Sequence, residues 1–224
     1  MAASAPDDTV DFPYTPHSAP SANAMRRLDE THHLPAAIQQ RIGALIVYCN
    51  FLETLAEKVL WVFRQEDVRD QVPSTSRYKA GQIIDNLRKM AAYQEASVLC
   101  AIELACDTAR HVLEYRNCVA HGELLSIGSA TQFVSNPGLW GERKPSTGAM
   151  ALISERFLDI AIDAAATVHQ TWQRIALEAS GPSAGRIGAM IDTLERLTSV
   201  RDAIVELCRS DAIRELHLNG NLDE

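Results

Sequence analysis

Residues 95–122 read EASVLCAIELACDTARHVLEYRNCVAHG. Val98, Ile102, Ala105, Ala109, Val112, Arg116 and Val119 recur at alternating steps of four and three, which traces one face of an α-helix. A second stripe, Glu103, Asp107, Arg110, Glu114 and Asn117, is polar throughout. Arg116 therefore interrupts the apolar seam and belongs to no charged face. The predicted helix covers roughly residues 95–120, and Gly122 is placed to end it as a left-handed C-terminal residue.

The same period extends to either side of this stretch. Leu45, Cys49, Leu52, Ala56, Val59 and Phe63 form a continuous apolar stripe, with Asn50, Glu53, Glu57 and Arg64 on another face. This helix starts near Pro35, a residue suited to a first turn, and ends near Gln65, before Pro73. A second helix is expected from the Ser74-Thr75-Ser76 cluster, whose hydroxyls can cap it, with Ile83, Ile84, Leu87 and Met90 on its apolar face. Residues 123–150 carry Gly, Pro and short apolar pieces (Leu124-Leu125, Phe133-Val134) and read as a long loop or small hairpin. Ser154 with Glu155 opens a fourth long helix to about Ala179, with Phe157, Ala161, Ala164, Val168 and Ile175 inward. Gly181-Pro182 then punctuates the chain, and residues 183–217 read as two or three short helices, with a capping box at Ser199-x-x-Asp202. Met1 to His33 is rich in Ala, Ser, Pro and Asp, has no period, and reads as a disordered tail.

The expected architecture is all-α. A tail (1–33) precedes an up-and-down helical bundle (34–180) with a long loop after its third helix, and a helical C-terminal extension (183–224) follows. A hydrophobic fraction of 46% and a charged fraction of 22% are ordinary for a globular chain of 224 residues. Five cysteines with no C-x-x-C pair suggest neither a disulfide framework nor a zinc site, and reduced thiols in a cytoplasm are the simpler reading. The longest apolar run, Ile42 to Leu52, is well short of the roughly 20 residues of a membrane span.

Motifs for zinc hydrolysis (H-E-x-x-H), serine hydrolysis (G-x-S-x-G), P-loop phosphate binding and dinucleotide binding are all missing, so no metal or cofactor is expected. His111 and His169 sit alone on helices, and His32-His33 lies in the tail without a ligand cluster. Trp61, Phe63 and Trp172 read as packing aromatics, and Trp140 as an anchor or lid in the long loop.

Arg116-Asn117-Cys118-Val119-Ala120-His121 resembles the R-N-x-x-x-H signature of the HEPN superfamily, all-α domains that include metal-independent endoribonucleases. Position near the end of the third long helix matches too, and the resemblance covers about residues 35–180. Bare Arg-x4–6-His is common: Arg26 and Arg27 precede His32 and His33 at permitted spacings within the tail. Specificity comes from the Asn after the Arg, the His-Gly ending, and the arginine's place in an apolar seam.

The resemblance implies RNA cleavage to a 2′,3′-cyclic phosphate and a 5′-hydroxyl. In it His121 acts as general base or acid, Arg116 neutralises the phosphorane-like transition state, and Asn117 orients the histidine or the phosphate. Glu53 and Tyr115 are the auxiliary candidates. A homodimer is implied, with an antitoxin or another protein as partner in a toxin or defence setting, and without membrane or DNA. Where HEPN toxins paired with a nucleotidyltransferase continue His-x-Tyr, this chain has His121-Gly122-Glu123, which leaves no tyrosine to modify there.

Geometry alone leaves two readings open. Five residues of continuous helix would turn His121 about 140° away from Arg116, so the two converge only if the helix ends between them or across a two-fold axis. A phosphate would then supply the countercharge that an arginine in a seam lacks. The alternative is a non-catalytic binding or dimerisation module in which Arg and His merely complement a helix C-terminus. Net charge is −8, but residues 1–33 and 183–224 contribute −3 each, leaving −2 on the bundle. A broadly basic nucleic-acid surface is excluded, whereas a small phosphate site is not.

Overall fold

A computed structural model describes residues 26–92, 96–127, 130–134, 150–179 and 193–208. Two compact units divide at Pro35/Ala36. Within the first, residues 26–32, inside the segment read as a tail, form a short helix (α1) that closes with His33 in the left-handed region at φ 52°. The second unit holds helices α2 (Ala36–Arg64), α3 (Ala80–Ala91), α4 (Ala96–His121), α5 (Glu155–Ala179) and α6 (193–208). It also holds three strands, β1 (Glu123–Ile127), β2 (Ala130–Val134) and β3 (Met150–Ile153). The molecule is thus a helical bundle with a small sheet inserted before α5, and none of the described helices is long and apolar enough to cross a membrane.

The apolar stripes form the core as their spacing predicts. Leu45, Cys49, Leu52, Ala56 and Val59 of α2 are buried with Ile102, Ala105, Ala109 and Val112 of α4 and with Ala161, Val168, Trp172 and Ile175 of α5. Arg41 clamps the start of α2 to that of α5 through Glu155 (2.9 Å) and Asp159 (2.8 Å). On α3 and α4, Asp85 pairs with Arg110 and Arg88 with Asp107, a register that sets these two helices antiparallel. Helix α2 ends in a Schellman arrangement: Gln65 N–H bonds Val62 O, Glu66 N–H bonds Trp61 O, and Gln65 takes φ 52°.

Three local expectations change. Helix α3 starts at Ala80, with Lys79 N–H donating to Gln82 Oε1 at 2.8 Å, and not at the Ser74-Thr75-Ser76 cluster. The Ser74 and Thr75 hydroxyls are engaged instead by side chains of α2 and by Glu66 just beyond its end. Ser74 Oγ donates to Glu66 (2.7 Å), while buried Thr75 donates to Glu57 and accepts from Trp61 Nε1 (2.6 Å). The long loop contains an antiparallel sheet of order β1-β2-β3, in which Leu124 pairs with Phe133 and Phe133 with Ala151. Ser199 and Asp202 lie inside continuous α6, so they cap no helix start. Trp140, Gly181-Pro182, most of the N-terminal tail, and residues 183–192 and 209–224 of the extension fall outside the described residues.

None of the five cysteines is in a disulfide; Cys100 is exposed, Cys208 half-buried, and Cys49, Cys106 and Cys118 buried. Burial pushes the Cys49 thiol up to about 11 and the Cys106 thiol to about 12. An aromatic disulfide reagent at pH 8 is therefore expected to modify Cys100 first and to reach Cys49 and Cys106 only on unfolding. Mass mapping of the native protein checks this, and Cys49 labelling as fast as Cys100 would contradict the packing.

Candidate functional site

The seam of α4 delivers Arg116 to the boundary of the core, with its neighbours Val112 and Val119 buried. Across from it, Glu53 stands on the polar flank of α2, about 80° around that helix from Leu45. The two form an ion pair in which the arginine side chain is 17% exposed and the glutamate 30%. Arg116 Nε is buried and makes no hydrogen bond. Cys49, one helical turn before Glu53, also lies against the guanidinium, which pulls its thiol down slightly against the larger effect of burial. The arginine's countercharge is thus a carboxylate of the same chain. A half-buried guanidinium next to a carboxylate is held rigidly, because losing either partner strands the other.

His121 and Asn117 stand apart from this pair. Helix α4 continues through His121, so the helix does not end between Arg116 and His121, and the two project about 140° apart. Both His121 and Asn117 are exposed. Four residues separate them, which puts them on one face, one turn from each other. Convergence of Arg116 and His121 by an early helix ending is thereby removed, and a second copy of the chain is the remaining route.

Tyr115 is buried at the opposite side of the motif, and its hydroxyl donates to the Leu152 carbonyl at 2.7 Å. That bond ties α4 to β3, which makes Tyr115 a positioning residue for the end of the helix. Gly122 does not take the left-handed cap conformation expected of it. A glycine is needed for a different reason: a Cβ there would overlap the Cys118 carbonyl oxygen and lie 3.1 Å from Phe133 Cβ and Val134 C. Gly122 N–H meanwhile donates to that carbonyl at 2.8 Å. The absent side chain lets β2 pass directly over the last turn of α4.

Beside Glu53 a cleft of about 380 Å³ opens between α2 and the 73–80 segment, lined by Glu57, Trp61, Thr75 and Tyr78 among others. Glu53 and Glu57 occupy positions i and i+4, a spacing visible in the sequence but read there only as a polar face. Exposed apolar side chains on α2, Val47, Tyr48 and Phe51, lie roughly 120–160° around the helix from Glu53. A second copy seated on that strip would leave the Arg116 and His121 sets on its far side. Among the described residues no group of three or more His, Cys, Asp or Glu side chains is arranged to hold a metal ion. No family model, curated protein or solved structure matches the chain.

Proposed function

We propose that this chain is an HEPN-like, metal-independent endoribonuclease that works as a homodimer, as a cytoplasmic toxin or defence effector. The observation that carries the reading is that Asn117 and His121 emerge one turn apart on the exposed face at the end of the helix that holds Arg116 in the bundle seam. His121 is exposed at the end of α4, where its imidazole can reach an RNA backbone and exchange protons with it. The 2′-oxygen attacks the adjacent phosphorus as its proton leaves to a base. The bond to the 5′-oxygen breaks, and that oxygen takes up a proton. His121 serves one of these transfers and Asn117 orients the phosphate. Glu53 fixes Arg116, which faces the developing charge where two copies meet at the ends of α4.

A second reading has its own observation. Glu53 already neutralises Arg116, so the arginine needs no phosphate, and a non-catalytic binding or dimerisation module would use the pair only to join α2 to α4. Incubation of the purified full chain with RNA in EDTA separates the two. On the catalytic reading wild type yields fragments ending in 2′,3′-cyclic phosphate, and His121→Ala loses at least about a hundredfold in rate. Identical patterns from wild type and His121→Ala would discard it.

A further inference from the structure

Helices α5 and α6 each bury apolar residues, Trp172 and Ile175 on α5 and Leu197 and Ile204 on α6, yet the side chains that link them are polar. There Thr167, Gln170, Thr171 and Arg174 fall at steps of three, one and three on a single face of α5, and Thr193 and Arg196 face them from α6. These six residues line a cavity of about 170 Å³. Arg174 donates to Thr193 Oγ1, and Thr171 Oγ1 donates back to the Thr167 carbonyl at 2.9 Å. Arg196 reaches Asp163 at 2.9 Å, where both side chains are more than half exposed, a pairing weak enough to be exchanged for another anion.

Thr167 is the residue that points to a ligand. It is 2% exposed, and its Oγ1 is buried and makes no hydrogen bond. A hydroxyl in that condition is costly, and native structures rarely leave one unsatisfied without cause. Among the described residues its lining carries two guanidinium groups, Arg174 bonded to Thr193 and Arg196 to Asp163. Guanidinium groups with hydroxyl donors beside them suit a tetrahedral oxyanion through charge-assisted hydrogen bonds. At about 170 Å³ the space is smaller than the roughly 300–1,000 Å³ of sites that enclose a drug-sized ligand, so it fits a phosphate group and not a whole nucleotide.

We propose that the α5–α6 cavity binds a phosphate group, with Thr167 donating its hydroxyl proton and Arg174 and Arg196 supplying the countercharge. This phosphate is either the free ion or the end of a small phosphorylated molecule whose remainder lies outside the cavity. The site is separate from Arg116 and His121 and stands whether or not the chain cleaves RNA.

Thermal unfolding of the full chain during titration with inorganic phosphate tests it, with sodium chloride at matched ionic strength as reference. A ligand that binds only the folded state raises Tm with its concentration. Wild type is expected to show a saturable rise with phosphate that chloride does not reproduce. Thr167→Val is expected to keep or raise the Tm measured without phosphate, since it removes an unsatisfied hydroxyl, and to weaken phosphate binding about tenfold or more. Arg196→Gln, an exposed substitution that preserves folding, is expected to weaken it similarly. A nucleoside 5′-monophosphate titrated in parallel identifies the source: tighter binding than phosphate means an anchored larger molecule, and equal or weaker binding means the free ion. Absence of a saturable response beyond chloride overturns the proposal, as does a wild-type response from both Thr167→Val and Arg196→Gln.

Discussion

Gly122→Ala is expected to destabilise the protein by about 3 kcal/mol, at the upper end of the cost of overpacking a filled site. The new methyl would meet the backbone carbonyl oxygen of Cys118, which also accepts the Gly122 N–H bond, so the oxygen cannot move without opening the last turn of α4. On its other side the methyl would stand 3.1 Å from Phe133 Cβ and Val134 C, so β2 would have to lift as well. For a chain of this size that loss corresponds to a fall in Tm of roughly 6–12 °C. Gly43→Ala is the matched control. Nothing lies within 4 Å of a Cβ at that exposed position inside α2, so the better helix propensity of alanine should stabilise by about 0.5–1 kcal/mol. Urea unfolding of both variants reads the contrast, and a Gly122→Ala protein within 0.5 kcal/mol of wild type would remove the close approach of β2 to α4.

The same glycine shows how far a sequence can be read. A helix ending at His121-Gly122 follows from local period and a local breaker, and the structure ends α4 within one residue of the expected position. Why glycine is needed there depends on Phe133 and Val134, which local pattern does not connect to it. Strand β3 escapes for a related reason. Met150–Ile153 is four residues long and acquires its identity only by pairing with β2 across an intervening segment. Leu124-Leu125 and Phe133-Val134 were legible as halves of a hairpin because they are close in sequence and pair directly. The serine and threonine cluster at 74–76 looked like a cap because hydroxyls before an apolar period usually are. Its bonds go instead to Glu57 and Trp61 on the preceding helix and to Glu66 just beyond that helix's end. For the candidate site, the odd placement of Arg116 was plain from the seam, whereas its partner Glu53 lies 63 residues away and stood only as one auxiliary candidate among two.

That partner makes the Arg116–Glu53 pair the most informative place to cut. Its exposure, 17% and 30%, lies between a surface pair worth under about 1 kcal/mol and a buried one whose breaking costs roughly 3–5 kcal/mol. Arg116→Ala and Glu53→Ala should each cost about 1–3 kcal/mol, and the double variant should cost less than their sum by about 1–2 kcal/mol. Most of each single loss is the stranded partner: Glu53 without Arg116 is a half-buried carboxylate with no countercharge, and the converse holds for Arg116. Glu53→Leu with Arg116→Met replaces both charges by apolar groups of similar length and should return stability to near the wild-type value. This folded double variant separates the two functional readings, because loss of activity in it cannot be ascribed to unfolding. If Arg116 stabilises a cleavage transition state, the double variant is as stable as wild type and has lost RNA cleavage. If the pair only joins α2 to α4, cleavage by the double variant, like its stability, matches wild type, and any catalysis must then be sought away from the seam.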